Sequence, residues 1–241
     1  MNFLRTPDID HIWYYQNTIR DKVSFSGVGL HNGKAVDMKL IPAEENTGIV
    51  FRRVDIKKNN TIKVNSKNIV KRKFCSKIIN NYGIYVETVE HLMSALKSLF
   101  IDNLVIEINS SELPAMDGSS YEYVTKILQI GRKVQTEPRK YLKIKKQLIA
   151  NIGNRWIQAS PSDKLNIDLE INYPNTLIGN ERYNYTHDET NFVNQICYAR
   201  TFTLAKDVDK LRASGFGLGG NLNNAIVVDK NKVLNKNGLK C

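Results

Sequence analysis

Glu90 and His91 are adjacent in the segment Thr88-Val89-Glu90-His91-Leu92. A carboxylate beside an imidazole is a pairing used in acid–base and metal chemistry. Val89, Leu92, Met93, Leu96 and Leu99 recur at three- and four-residue intervals, the spacing of a helix with one buried face. Successive helical residues point about 100° apart, so Glu90 and His91 would lie at the edge of that face. There a His could hold a metal and its neighbour could reach a metal-bound water. The pattern alone also fits a Glu complementing the helix dipole beside a half-exposed surface His. It is not an HExxH motif, and no second ligand follows at i+3 or i+4.

Three further segments could carry chemistry. Gly27-Val28-Gly29-Leu30-His31-Asn32-Gly33 is a Gly-dense turn that bears a His. It follows a strand without opening a helix, so a hairpin connection competes with a phosphate loop. Met116-Asp117-Gly118-Ser119 is turn chemistry. In Ala199-Arg200-Thr201-Phe202, Thr201 could offer its hydroxyl to a developing oxyanion, or be a plain loop Thr.

These residues need elements to position them. Residues 1–17 lack a clear period and read as an N-terminal extension. Alternation then marks half-buried strands: Ile19, Val23 and Phe25; Val36, Met38 and Leu40; Ile49 and Phe51. The helix from Thr88 follows, then the apolar strand Leu104–Ile108, and a second helix from Tyr121 with Val124, Ile127 and Leu128 inward. Glu137-Pro138 reads as a linker. Beyond it, strands are expected at Tyr141–Ile144, Leu148–Ile152, Trp156–Ala159 and along Leu165, Ile167, Leu169 and Ile171. Thr186 and Glu189 form a capping box for a helix burying Phe192, Val193 and Ile196. A helix over about Ala205–Ser214 and short strands at Ala225–Val228 and Lys232–Leu234 complete the chain. The expected fold is α+β, with two similar domains at 18–138 and 139–241, each a β-sheet packed with helices. Only the first closes with a helix after its last strand, so the second should leave part of a sheet face uncovered.

Composition sets outer limits. In 241 residues, 41% are hydrophobic and 24% charged, as in an ordinary globular protein. No apolar run approaches the roughly 18 residues of a membrane span, and the charge and Pro in Met1–Asp8 argue against a secretory signal. Cys75, Cys197 and Cys241 are too few and too scattered for a disulfide framework, which points to the cytoplasm. The net charge of +11 raises phosphate partners. It is spread over both halves in a chain holding 24 Lys, 27 Asn and 25 Ile, so compositional drift accounts for it better than a nucleic-acid footprint.

Taken in order, the segments resemble the LpxC family, the zinc-dependent UDP-3-O-acyl-N-acetylglucosamine deacetylases of lipid A biosynthesis. Besides those quoted, the resemblance rests on Asn46–Arg53, Ile101-Asp102-Asn103, Leu113–Ser119, Gly217-Leu218-Gly219-Gly220, Ala225–Val228 and Val233-Leu234-Asn235. It covers about residues 18–240.

The resemblance implies two α+β domains with the active site between them. It implies Zn2+ as cofactor, His91 as a metal ligand, Glu90 as general base and Thr201 beside the scissile carbonyl. Phe202 would contact sugar or acyl chain, Cys75 would line the cleft, and His31 would have a supporting role. The implied partner is the UDP-sugar substrate, with no nucleic acid and no membrane span. A monomer is expected, with room for peripheral contact with the inner membrane. The sequence departs from the family pattern in lacking the C-terminal helix with His-Lys-x-Leu-Asp and the later catalytic His. Thr203 also stands where the family usually has Gly. One protein ligand cannot hold a catalytic zinc, which normally has three. The expectation is a C-terminally incomplete deacetylase with impaired turnover. The alternatives are a non-catalytic remnant or interaction protein of the same fold, and a basic nucleic-acid-binding domain.

Overall fold

The structure is a computed structural model and describes residues 12–236, 238 and 239. The beginning of the expected extension, His11 and Cys241 lie outside the described residues.

The first half is organised by a five-stranded mixed sheet. Its strands are β2 (Val23–Val28), β3 (Ala35–Pro42), β4 (Ile49–Arg53), β5 (Thr61–Lys63) and, after the first helix, β9 (Leu104–Ile108), in the order β2-β3-β9-β4-β5. Central β9 runs antiparallel to β3 and parallel to β4. The period-two alternation works as expected: Val36, Met38 and Leu40 are buried while Ala35, Asp37 and Lys39 are exposed. Helices α1 (Glu90–Ser98) and α2 (Tyr121–Ile130) add Leu92, Leu96, Tyr123, Val124 and Ile127 to the same core as Phe25, Phe51 and Ile106. Each such fully buried side chain contributes about 1.5–3 kcal/mol. Short strands β6 (Ile69–Val70), β7 (Lys77–Ile79) and β8 (Tyr85–Glu87) form a second sheet that delivers the chain to α1.

Two boundaries differ from the sequence expectation. β1 (Tyr15–Ile19) runs through the expected edge of the extension, and Gln16, Asn17 and Thr18 are buried. The expected linker Glu137-Pro138 is the end of β10 (Arg132–Pro138), which pairs antiparallel with β1. Polar side chains hide both strands from a hydrophobic pattern, because hydrogen bonds carry their burial. Asn103 Nδ2 donates to Gln16 Oε1 and Gln135 Oε1, each at 2.8 Å. Just past β10, Arg139 is buried against Asp102, with Nε donating to Oδ1 at 2.8 Å.

The second half is mixed α/β, but its strands do not build a counterpart of the first sheet. Among the described residues they stand as separate pairs: β11 (Leu148–Ile152) with β12 (Arg155–Ala159), β13 (Asn166–Tyr173) with β14 (Gly179–Thr186), and β15 (Phe202–Leu204) parallel to β16 (Ile226–Val228). Residues 141–144 form no strand, and Val233 makes a single bridge to Val228. The clean alternation of β13 does not bury a face: Ile167 and Leu169 are exposed, as are Ile152 at 83% and Trp156 at 71%. The helix after β14 is short, α3 (Glu189–Asn191), and continues as a π turn over Phe192–Ile196. Its N-cap is Asp188 rather than Thr186, with Asp188 Oδ1 accepting from the Asn191 N–H at 2.7 Å. Glu189 instead pairs with Arg132 of β10. α4 (Val208–Ala213) follows a 3-10 turn at Ala205–Asp207. No helix among the described residues is long and apolar enough to cross a membrane.

Candidate active site

Helix α1 begins at an unusual corner. Val89, its N-cap, makes no side-chain cap hydrogen bond. Thr88, just before it, has φ +58°, a left-handed conformation that a β-branched residue rarely adopts. The turn sets Glu90 and His91 at the first helical positions. Glu90 Oε2 accepts from the Ser76 N–H at 3.1 Å. Burial pushes the His91 imidazole below the ordinary histidine value, while Glu90, Asp117 and a hydrogen bond with the Ser119 main chain pull the other way.

His91 opens into a cleft of about 790 Å³ whose other wall belongs to the second half. Thr201 and Phe202 line it, with Lys73, Phe74, Lys210 and Phe216. Phe202 stands edge-on to Tyr173, with ring centroids 5.4 Å apart. The seam between the walls is built from main chain. The Thr201 N–H donates to Gly118 O at 2.8 Å and the Ser120 N–H to Cys197 O at 3.1 Å, while within the second half the Ile226 N–H donates to Thr201 O at 2.8 Å. Arg200 Nε donates to Asp117 O at 2.7 Å. Gly118, at φ +88°, passes so close that a Cβ would lie 2.1 Å from Asn224 O.

The remaining expected residues sit around this cleft. Cys75 does not line it; its neighbours Lys73 and Phe74 do. The Cys75 thiol lies 3.8 Å from Glu87 Oε2, in a group with Arg72 and Lys77, and burial pushes its pKa up. His31 is one layer behind: its ring meets Phe216 edge-on at 5.4 Å, and both ring nitrogens are buried without a described partner. The Gly-rich turn that holds it is pinned to the second half by the Leu218 N–H on His31 O and the Gly219 N–H on Leu30 O, each at 3.1 Å.

Sequence reasoning missed Glu112, Phe74 and Phe216, and read Asp117 as turn chemistry. Glu112 is 2% exposed and accepts from Thr88 Oγ1 at 2.9 Å and from the His31 and Asn32 N–H groups at 2.8 Å each. Its partners are 24, 80 and 81 residues away, beyond any local period. Phe216 had one signal, a lone aromatic between Gly215 and Gly217.

The donor set does not by itself fit a catalytic zinc. Of the residues lining the cleft, His91 is the one imidazole. Among the described residues no group of three or more His, Cys, Asp or Glu is placed to hold a metal, and a catalytic zinc takes three protein ligands.

His91 from α1 thus shares one cleft with Thr201 and Phe202 of the second half, while Glu90, next to it on the helix, is not among the lining residues and bonds Ser76. The sequence model of LpxC, UDP-3-O-acyl N-acetylglycosamine deacetylase, matches residues 16–241, and the chain belongs to that family. It is 37% identical to the UDP-3-O-acyl-N-acetylglucosamine deacetylase of Actinobacillus pleuropneumoniae serotype 3 (strain JL03) over 228 residues, 93% of this chain and 74% of the relative. The enzymes of the same name from a Nitratiruptor species and from Pasteurella multocida (strain Pm70) are 39% and 36% identical, with the same coverage.

Proposed function

We propose that this cleft acts on the N-acetyl amide of UDP-3-O-acyl-N-acetylglucosamine, releasing acetate and the free amine. The observation that carries this is the placement of His91, Thr201 and Phe202 in one cleft bounded by both halves, in a chain of this family. An amide is a poor electrophile, so hydrolysis needs a base for water and donors for the oxyanion. Glu90 takes the proton of the attacking water, and the Thr201 hydroxyl donates to the oxyanion. Lys73 and Lys210 suit a diphosphate, and Phe74, Phe202 and Phe216 offer apolar surface to an acyl chain. Cys75 and His31 support the Lys73–Phe74 and Phe216 walls from behind.

The family's zinc is part of this proposal, but no step is assigned to it because the described residues do not fit a complete metal site. Turnover by these residues alone is accordingly impaired. The test is a deacetylase assay on the purified 241-residue chain with metal content measured in parallel. Weak turnover that Glu90→Gln abolishes supports the assignment. Turnover at an ordinary enzymic rate refutes impairment, and turnover indifferent to Glu90→Gln refutes the role of the base.

A further inference from the structure

We propose that Glu112 is a positioning residue for Glu90 and His91, acting through Thr88. The proposal rests on the assignment of that pair to the site. The entry to α1 has no side-chain cap, so its direction depends on the left-handed turn at Thr88. Such a conformation persists only where surrounding contacts fix it. Two hydrogen bonds do so here: the Thr88 N–H donates to Ser76 O at 2.9 Å, and Thr88 Oγ1 to Glu112 Oε1 at 2.9 Å. Ser76 in turn donates its N–H to Glu90 Oε2, so a shift at Thr88 moves the residue that holds the Glu90 carboxylate.

Glu112 is well built for this task. It is almost wholly buried, and its carboxylate takes three donors, Thr88 Oγ1 and the His31 and Asn32 N–H groups. A carboxylate can accept from several directions at once, which a neutral side chain cannot match. Main-chain bonds from the Glu87 N–H to Ser111 O and from the Leu113 N–H to Glu87 O, at 2.8 and 3.2 Å, clamp its segment to the residue before Thr88. One side chain thereby fixes both the Gly-rich turn and the start of the helix. The hydroxyl bond to Thr88 separates this role from a simpler one, in which Glu112 only pins the Gly-rich turn.

The test uses the full chain without added metal and is independent of turnover. Amide exchange is followed at Met93, whose N–H bonds Val89 O, and at Ser94, with Leu40 and Ile106 as references in the sheet. The His91 imidazole nitrogens are followed by long-range proton–nitrogen correlation. Thr88→Val removes the hydroxyl and keeps the branch, Thr88→Ser keeps the hydroxyl, and Thr88→Gly takes positive φ without help. Thr88→Val and Glu112→Gln are each expected to speed exchange at Met93 and Ser94 at least about tenfold relative to the references and to shift the imidazole nitrogens. Thr88→Ser should stay within about threefold of the unaltered chain. In the Thr88→Gly background, Glu112→Gln should add less than about threefold. An undiminished effect of Glu112→Gln in that background overturns the proposal, as does unchanged exchange in Thr88→Val. Should Glu112→Gln fail to fold, the contrast between Thr88→Val and Thr88→Ser decides. If the exchange results hold while Glu90→Gln leaves N-acetyl hydrolysis intact, the functional assignment fails and the positioning stands.

Discussion

The N–H of Thr201 donates to the main-chain carbonyl of Gly118 at 2.8 Å. The loop bearing the cleft hydroxyl is thus bonded to the turn whose next residue, Ser119, acts on the His91 imidazole by favouring its charged form. Two elements from distant parts of the chain meet at this bond.

That junction is intolerant of bulk. Gly118 combines a left-handed φ with the Asn224 carbonyl where a Cβ would be. Gly118→Ala should cost at least about 2 kcal/mol, from backbone strain and a clash with main chain. Urea denaturation checks the loss, and the change should also open the cleft. Gly48→Ala, where φ is also positive but nothing lies within 4 Å, should cost less.

Glu90→Gln keeps an acceptor for the Ser76 N–H and removes the proposed base. N-acetyl hydrolysis should fall by about 10²–10⁴-fold, while the urea midpoint changes little. Steady-state rates and denaturation curves on the same preparation separate the two effects.

Stability should fall as acidity rises between pH 8 and 5. Burial depresses the pKa of both His91 and His187 below the ordinary histidine value of 6.5, with Lys97 adding to the effect at His187. The unfolded chain therefore binds protons that the fold refuses, so stability is held above the ordinary value and lost on descending through it toward the depressed one. Urea midpoints across that range should show the slope, and His187→Gln should flatten it. A midpoint rising toward pH 5 would reverse the assigned direction.

Asp102→Ala should destabilise by about 3 kcal/mol, because it leaves the Arg139 guanidinium buried without its carboxylate. Asp102 Oδ2 also accepts from the Asn17 N–H at 2.8 Å, so the β1–β10 pair should loosen with it. Calorimetry gives the loss, and amide exchange at Thr18 locates it.

Apolar residues should split by half of the molecule. Ile152→Lys, on the solvent side of β11, should stay within about 0.5 kcal/mol of the unaltered chain. Leu40→Ala, fully buried in β3, should cost about 2–5 kcal/mol. Comparable costs for the two would mean that β11 is covered in solution.

What the sequence made legible was whatever follows a local period. α1, α2, β3 and β9 were placed by apolar spacing, and most of the expected residues are buried, although Met93 and Leu128 are half-buried and Ala95 and Tyr123 join the core unexpected. β1 and β10 escaped because Gln16, Asn103 and Gln135 bond one another inside the fold while Asn17 donates to the Ile12 carbonyl, and amide networks have no hydropathy signature. Period misled at β13, where alternation guarantees a strand but not something to cover it. At the site, Glu90, His91 and Thr201 stood out by residue type and the family resemblance assigned their roles; the structure brings His91, Thr201 and Phe202 to one cleft. Glu112 was not, since its role exists only once Thr88, His31 and Asn32 converge on it.

The exposed hairpins have a cost outside the fold. β11–β12 and β13–β14 offer unpaired strand edges flanked by Leu148, Ile149, Ile157 and Leu169 in solvent. Edges of this kind template pairing with other chains, and exposed apolar segments are what chaperones and proteases sort by. Whatever the cleft achieves chemically, the abundance of the protein in a cell should be governed by these two hairpins, and its lifetime should depend on how soon they find cover.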